Sequence, residues 1–323
     1  MKESAVDLYK SLLEGDRRAA ARLITMVENG DPESREVLRQ LHRYSGKAHI
    51  IGLTGSPGSG KSTLARGLAS HYRQEGLSVG IIAVDPTSAF TGGALLGDRI
   101  RMQELSADPG VFIRSMGSRG ALGGLAVATN DVINILDAFG KDVIMVETVG
   151  AGQVEIEVAK FTHTCLVVTM PGGGDEIQAI KAGILEIGDV FVVNKSDREG
   201  AARTVADLEM MLETKPGYDA ATWKPPIIST VAFDGEGVVE LAAAISSHRR
   251  FLEDSGRLEE KTIQRMKAEV REILSQKVGR AAEVALTSEG PGEELLRRMA
   301  AREIDPHTAA DEIAGFLFKG TRD

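Results

Sequence analysis

One short glycine-rich stretch constrains the fold of this chain more than any other feature. Residues 55–63 read GSPGSGKST and match G-x-x-x-x-G-K-S/T, the phosphate-binding loop. The stretch follows the apolar run HIIGL at 49–53 and precedes a helical pattern that begins near Thr63. Because this loop joins a strand to a helix, the sequence predicts an α/β fold with the loop at the start of its core.

Each residue type in the loop suits the binding of phosphate. Glycines let backbone N–H groups turn inward, and the N-terminus of the following helix adds partial positive charge. Lys61 is expected to reach the β- and γ-phosphates, and the Ser62 hydroxyl is expected to ligate Mg²⁺. The predicted phosphate-binding residues are Gly55, Ser56, Pro57, Gly58, Ser59, Gly60, Lys61, Ser62 and Thr63.

Strand and helix patterns alternate after this point. We predict strands at 48–53, 79–84, 111–113, 142–147, 164–169, 189–193 and 226–230. The intervening helices are predicted at 61–75, 121–139, 175–186, 203–214 and 236–249. Apolar strands between helices are typical of a parallel sheet covered on both faces. The sequence therefore predicts a P-loop NTPase fold with a mostly parallel sheet flanked by helices.

Helical patterns precede and follow this core. They predict an N-terminal helical extension at 1–46, a core at 47–250 and a C-terminal helical arm at 251–323. The arm carries an apolar stripe at helical spacing, formed by Leu258, Ile263, Met266, Val270, Leu274 and Val278. Such a stripe needs a surface to bury it, either on its own core or on a second subunit. We expect a dimer, although the pattern permits both.

Composition narrows the class of protein. The chain has 323 residues and a net charge of −9, with no long basic run, so nucleic acid is not expected as its main partner. The single cysteine, Cys165, lies in an apolar run and is interpreted as a buried strand residue. No signal-peptide core or membrane-length apolar stretch is found, so we expect a cytoplasmic protein.

An acidic residue ends the predicted strand at 142–147. Glu147 is followed by Gly150, a pattern that resembles a Walker B strand and the γ-phosphate-sensing turn of a GTPase, with Glu in place of the more usual Asp. A carboxylate there can hold Mg²⁺ directly or through water. The Gly150 N–H is expected to bind the γ-phosphate.

A second signature predicts the base. Residues 194–197 read NKSD and fit N-K-x-D, in which the Asp197 carboxylate accepts from guanine N1–H and the exocyclic amine. Adenine has no N1–H, and a site built for such donors rejects it by about 10⁴–10⁵-fold. Asn194 is expected to brace the phosphate loop and the Lys195 stem to pack on the base. The loop after the next strand resembles one that contacts the guanine oxygen through backbone N–H groups, here at Val231, Ala232 and Phe233.

Two further aspartates are candidates for the catalytic edge. Asp85 ends the second predicted strand, where it can polarise water or hold Mg²⁺ through water. Asp98 lies in the glycine-rich segment 92–101, a natural first switch that closes on the γ-phosphate and Mg²⁺. The alternative for either residue is a capping or solvated carboxylate.

These motifs together resemble the MeaB/ArgK-like family, the methylmalonyl-CoA mutase-associated GTPases. Further stretches carry the resemblance: VDPTS at 84–88, GDRIRM at 97–102, RSMGSRG at 114–120 and VETVGAGQ at 146–153. The resemblance implies a GTPase that forms a homodimer through its C-terminal helices. It also implies an adenosylcobalamin-dependent acyl-CoA mutase as partner, with GTP gating cofactor delivery and protecting or rescuing the mutase. No D-x-H-x-x-G signature is present, so cobalamin is assigned to the partner.

Residues 171–181, PGGGDEIQAIK, resemble the additional switch loop of the family. The resemblance implies that Lys181 approaches the catalytic site when the partner binds. No Gln directly follows the turn at 149–150 to orient water, so slow hydrolysis without a partner is expected. The predicted catalytic residues are Lys61, Asp85, Asp98, Glu147 and Lys181, and the predicted Mg²⁺ ligands are Ser62, Asp98 and Glu147.

Two other functions remain open at this point. A P-loop kinase of the amino-acid transport type would prefer ATP, against which Asp197 argues. A nickel-insertion GTPase would need a cluster of Cys and His, yet the six histidines are scattered along the chain and are interpreted as surface or packing residues.

Overall fold

The computed structural model describes residues 5–85, 105, 107–117, 122–148, 159–172, 184–213, 222–287 and 292–319. The strands are β1 His49–Thr54, β2 Val79–Asp85, β3 Val111–Gly117, β4 Val143–Thr148, β5 Thr164–Thr169, β6 Val190–Asn194 and β7 Ile227–Thr230. The helices are α1 Ala5–Leu13, α2 Arg17–Glu28, α3 Pro32–Leu41, α4 Lys61–Gln74, α5 Leu122–Ala138, α6 Ile184–Ile187, α7 Ala201–Glu213, α8 Val238–Asp254, α9 Arg257–Ala285, α10 Gly292–Ala300 and α11 Pro306–Lys319.

The strands form one seven-stranded sheet in the order β3-β2-β4-β1-β5-β6-β7. Every neighbouring pair is parallel. All residues of β1, β4, β5 and β6 are buried, which agrees with their apolar sequences and with helices on both faces. The predicted α/β fold is confirmed, and the loops after the strands meet at the carboxyl edge of the sheet.

Two compact units divide the chain, and the first runs from Met1 to Ala268. On one face of its sheet, α1, α2, α3 and α5 share a buried core that includes Leu23 and Ile144. On the other face, α4 and α8 contribute Leu64 and Leu241 to a second core. Helix α3 is capped at its N-terminus, where the Asp31 side chain accepts from Glu33 N and Pro32 occupies the first turn.

The second unit runs from Glu269 to Asp323. Within it, the end of α9 packs with α10 and α11 around Ala285, Leu295, Ala309 and Ile313. Apolar side chains on α9 are exposed, among them Ile263, Met266, Val270, Leu274 and Val278. The boundaries predicted at 46/47 and 250/251 remain a prediction.

The predicted helix at 175–186 falls mostly outside the described residues, which include only α6 from this region. Among the helices that the structure describes, none is long and apolar enough to cross a membrane.

Candidate functional site

The glycine-rich loop joins β1 to α4 and requires glycine at two close approaches. Gly55 has φ +131° and Gly60 has φ +92°, both in the region that favours glycine. A Cβ on Gly55 would lie 1.9 Å from the Val168 carbonyl oxygen, and one on Gly60 would lie 2.3 Å from Asn194 Nδ2. The loop backbone therefore lies directly against the ends of β5 and β6, and at these two positions only glycine leaves enough room.

Lys61 is the first residue of α4, and only 5% of its surface is exposed. Its ammonium group donates to the carbonyl oxygens of Gly55 at 2.5 Å and Ser56 at 2.8 Å. The loop backbone therefore fixes this cation beside the glycine turn, where phosphate oxygens can replace the carbonyl contacts.

Ser62 and Glu147 bring two oxygen donors together across the sheet. Ser62 Oγ donates to Glu147 Oε1 at 2.5 Å, and Glu147 is 6% exposed. The two residues meet because β4, which carries Glu147, pairs directly with β1. Hydroxyl and carboxylate oxygens are the hard ligands that Mg²⁺ prefers, so this donor set fits a magnesium ion beside the phosphate loop.

Asn194, the last residue of β6, connects three loops. Its Nδ2 donates to the Ser59 carbonyl at 2.7 Å, while its Oδ1 accepts from Thr230 Oγ1 at 3.0 Å and Ala232 N at 3.1 Å. Lys195 follows with φ +58° and donates from Nζ to the Gly58 carbonyl at 2.7 Å. The guanine signature is thus attached directly to the phosphate loop, as the sequence suggests for Asn194.

Asp197 lies in the turn after β6, and its side chain is exposed. A hydrogen bond from Ser196 N to the Thr230 carbonyl, 3.1 Å long, fixes this turn against the end of β7. The Asp197 carboxylate is therefore carried by a turn that is fixed at the end of β7, and it is exposed to solvent.

The sequence predicts that backbone N–H groups at Val231, Ala232 and Phe233 in the loop after β7 meet the base, and the described part of the chain leaves one of these three without an acceptor. Val231 N donates to the Glu236 carbonyl and Ala232 N donates to Asn194, so both are already engaged. Phe233 N has no acceptor among the residues that the structure describes, and the Phe233 side chain is 82% exposed. Of the three residues that the sequence suggests, Phe233 is the one whose N–H can meet a ligand.

The structure describes only some of the other predicted site residues. Asp85 is the last residue of β2, whose strand neighbour β4 carries Glu147. Asp98, Gly150 and Lys181 lie outside the described residues. The sequence does not predict two further contacts, because no motif marks the end of β5. Gly55 approaches Val168, and Lys195 lies 3.6 Å from the Met170 sulfur.

A family model supplies the deciding comparison. The model described as "Methylmalonyl Co-A mutase-associated GTPase MeaB" matches residues 20–286. The chain belongs to this family. As a MeaB-family protein it is a GTPase, and it binds guanine nucleotide.

Individual relatives agree with this assignment. A protein of Pyrococcus abyssi, named as a candidate GTPase, is 52% identical over 315 residues, 97% of each chain. The GTPase ArgK of Escherichia coli is 36% identical over 260 residues, 78% of each chain. Among solved structures, the crystal structure of an LAO/AO transport system kinase matches with a TM-score of 0.73 and 25% identity, and the match covers 98% of each chain.

Proposed function

We propose that this MeaB-family GTPase is Mg²⁺-dependent and that it acts as a chaperone for an adenosylcobalamin-dependent acyl-CoA mutase of the methylmalonyl-CoA mutase type. The observation that carries the nucleotide part is the set of bonds from Asn194 to Ser59 and Ala232, which unites the phosphate and base signatures in one site. The family description, which names methylmalonyl-CoA mutase, supports the partner.

In the proposed site, complementary donors and acceptors select the base. The exposed Asp197 carboxylate accepts from guanine N1–H and the exocyclic amine, and Phe233 N donates to the guanine oxygen. The Lys195 stem, held by its bond to Gly58, packs along the ring. Adenine would leave Asp197 without a donor and would leave Phe233 N facing an amine, so the chain prefers GTP.

The phosphate end works by positioning and electrostatics. Backbone N–H groups of the loop and Lys61 stabilise the negative charge on the β- and γ-phosphates. Ser62 and Glu147 are the described residues that would hold Mg²⁺, with Asp98 as a further predicted ligand. When bound, the ion neutralises charge on the phosphate oxygens. The Ser62 proton points to Glu147, which leaves the Ser62 oxygen lone pairs for a cation.

Slow turnover of the isolated chain is part of this proposal. Asp85, Asp98 and Lys181 are retained as proposed catalytic residues and Gly150 as a proposed γ-phosphate contact. We propose that the mutase completes the site by bringing Lys181 to the phosphates of the bound nucleotide. The protein would then work as a switch, and the partner would distinguish its GTP-bound form from its GDP-bound form.

Turnover in the presence of the partner tests the proposal. GTP hydrolysis by the purified chain is measured alone, with a methylmalonyl-CoA mutase, and with an unrelated acyl-CoA enzyme. We expect the mutase to raise the rate by about tenfold or more and the unrelated enzyme to leave it unchanged. Lys61→Ala removes turnover in all three mixtures. An unchanged rate with the cognate mutase contradicts the chaperone role and leaves the GTPase assignment standing.

We also infer that the exposed apolar stripe on α9 joins two copies of the chain. Val270 and Leu274 are 55% and 54% exposed, and burying such side chains at an interface is favourable. Val270→Glu with Leu274→Glu is expected to yield a monomer in sedimentation. Met210→Glu with Val239→Glu, at positions on α7 and α8 that are 64% and 60% exposed, is the matched control that should keep the dimer. A wild-type chain that sediments as a monomer contradicts the inference.

A further inference from the structure

A cavity of about 500 Å³ lies at the sheet edge opposite the nucleotide site. Asp189, one of its lining residues, directly precedes the five-residue strand β6. Asn194, which belongs to the nucleotide site, ends the same strand. The strand places the two ends roughly 15 Å apart. The volume falls in the range of about 300–1,000 Å³ that is typical of small-molecule sites. All its lining residues belong to the first compact unit, and none takes part in the nucleotide site described above.

The floor of the cavity is preorganised around Asp189. Its carboxylate accepts from Cys165 N at 2.9 Å and from Lys261 Nζ at 2.9 Å. The Trp223 indole N–H donates to the Asp189 carbonyl at 2.7 Å. The charge of Asp189 is thus balanced by Lys261, and neither group needs to move before a ligand binds.

His248 also lines the cavity, and its hydrogen bonds determine which ring nitrogen carries the proton. His248 Nε2 lies 3.3 Å from Asp189 Oδ1, and its Nδ1 lies 2.9 Å from Thr164 Oγ1. Burial lowers the pKa of His248 to about 4, so the ring is neutral at pH 7. A neutral ring that donates from Nε2 to Asp189 accepts at Nδ1 from the Thr164 hydroxyl. His248, which is 1% exposed, therefore adds no charge to the lining of the cavity.

One wall is aromatic and apolar. The Trp223 ring centroid lies 4.8 Å from that of His248 and 5.4 Å from that of Phe251. Leu252 extends the same lining, as does Ile263 at one end of the α9 stripe. Val270 and Leu274, the stripe residues used to test the dimer, do not line the cavity. Flat apolar surfaces of this kind favour a ligand with a ring system, because aromatic rings stack on one another in offset or edge contacts.

The remaining charged residues of the lining carry a positive excess. Arg257 and Lys267 face one acid, Glu260, once Lys261 and Asp189 are counted as a pair. The Arg257 guanidinium lies 5.4 Å from the Phe251 ring centroid, so a cation lies beside the aromatic wall. This charge pattern complements a single negative charge on a ligand.

We propose that this cavity binds a small aromatic acid, with its ring system against Trp223 and Phe251 and its anionic group near Arg257 and Lys267. The proposal is independent of the mutase partner and of GTP hydrolysis.

The only tryptophan of the chain reports on the site directly. The probe is 1-anilinonaphthalene-8-sulfonate, an aromatic anion, titrated into the full-length protein. We expect quenching of Trp223 emission and sensitised probe emission that saturate together at one site per chain. N-phenyl-1-naphthylamine, which lacks the sulfonate, should bind about tenfold more weakly. Equal binding of the neutral probe would overturn the anion assignment.

Charge reversal locates the binding. Arg257→Glu with Lys267→Glu should weaken the anionic probe by about tenfold. The matched control, Arg203→Glu with Arg250→Glu, makes the same charge change on exposed positions of α7 and α8 that do not line the cavity. It should stay within about twofold of the wild type. Equal losses in both variants, or no loss in either, would overturn the proposal.

Discussion

The Asn194 carboxamide is hydrogen-bonded to Ser59 in the phosphate loop, although 135 residues separate the two in sequence. The donor is Nδ2 and the acceptor is the Ser59 carbonyl, 2.7 Å away. On its other side the amide oxygen holds Ala232 N and Thr230 Oγ1. One buried side chain thus sets the spacing between the glycine-rich loop, which we propose binds the phosphates, and the loops that we propose bind the base.

Truncating this amide should damage both stability and binding. Asn194→Ala leaves three partners unsatisfied in a position that is 2% exposed, so we expect the free energy of unfolding to fall by about 2–3 kcal/mol. GTP affinity should fall as well, because the spacing between the phosphate loop and the loops proposed to bind the base is no longer fixed. Urea denaturation and nucleotide titration check both effects. Gln74→Ala, an exposed amide at the end of α4, should cost under about 0.5 kcal/mol; an equal loss in the two variants contradicts the bracing role.

Two glycines of the loop offer a matched comparison. Gly55 and Gly58 both have positive φ, +131° and +78°, so alanine strains the backbone at either position. Only at Gly55 does the new Cβ meet backbone, 1.9 Å from the Val168 oxygen, whereas nothing lies within 4 Å at Gly58. Gly55→Ala should therefore destabilise by about 3 kcal/mol or more, and Gly58→Ala by about 1 kcal/mol. Similar melting temperatures for both variants would contradict the close approach.

The sequence predicts the fold well because the strands are apolar on both faces and the motifs stand at their ends. These patterns do not predict the order of the strands in the sheet, because each strand of a parallel sheet presents much the same apolar surface to its neighbours. The phosphate loop and Asn194 are predicted because their chemistry depends on short, local spacing. By contrast, His49, His163 and His248 lie far apart in sequence and gave no signal. They come together because β5 pairs with β1 and α8 covers them.

Replacing Glu147 by glutamine separates its charge from its hydrogen bond. Glu147→Gln keeps an acceptor for Ser62 but removes the negative charge that the proposed Mg²⁺ site needs. The Mg²⁺ concentration for half-maximal GTP turnover should rise by about 10–100-fold, while GDP binding in a chelator stays unchanged. Glu209→Gln, on the exposed side of α7, should leave the Mg²⁺ dependence unaltered. An unchanged requirement in Glu147→Gln would exclude this carboxylate as a ligand.

The buried histidines should make stability depend on pH. Burial lowers the pKa of His163 to about 3 and of His248 to about 4, and it also lowers the pKa of His49. The nearby cations Arg265 and Lys261 lower the pKa of His163 further. Below pH 6.5 the unfolded chain therefore binds protons that the folded chain does not. Stability is complete above that pH and falls as the pH drops towards 4, by up to about 1.4 kcal/mol per pH unit for each histidine.

Urea unfolding at pH 6.5 and pH 5.5 measures this slope. His248→Gln should reduce it by up to about 1.4 kcal/mol per pH unit, because one of the groups that titrates only in the unfolded chain is gone. His42→Gln, which replaces an exposed histidine, is the control for the substitution itself. If His248→Gln has the wild-type slope, this histidine is not held neutral in the folded protein.

Competition between GTP and ATP for the purified chain tests the central claim most directly. A fluorescent GDP analogue is displaced by each nucleotide, from the wild type and from Asp197→Asn. We predict that GTP displaces the analogue from the wild type at concentrations about 10⁴-fold lower than ATP does, and that Asp197→Asn loses most of this preference. Equal displacement by the two nucleotides, or a preference that survives the loss of the Asp197 charge, would contradict a guanine site assembled around Asn194 and Asp197.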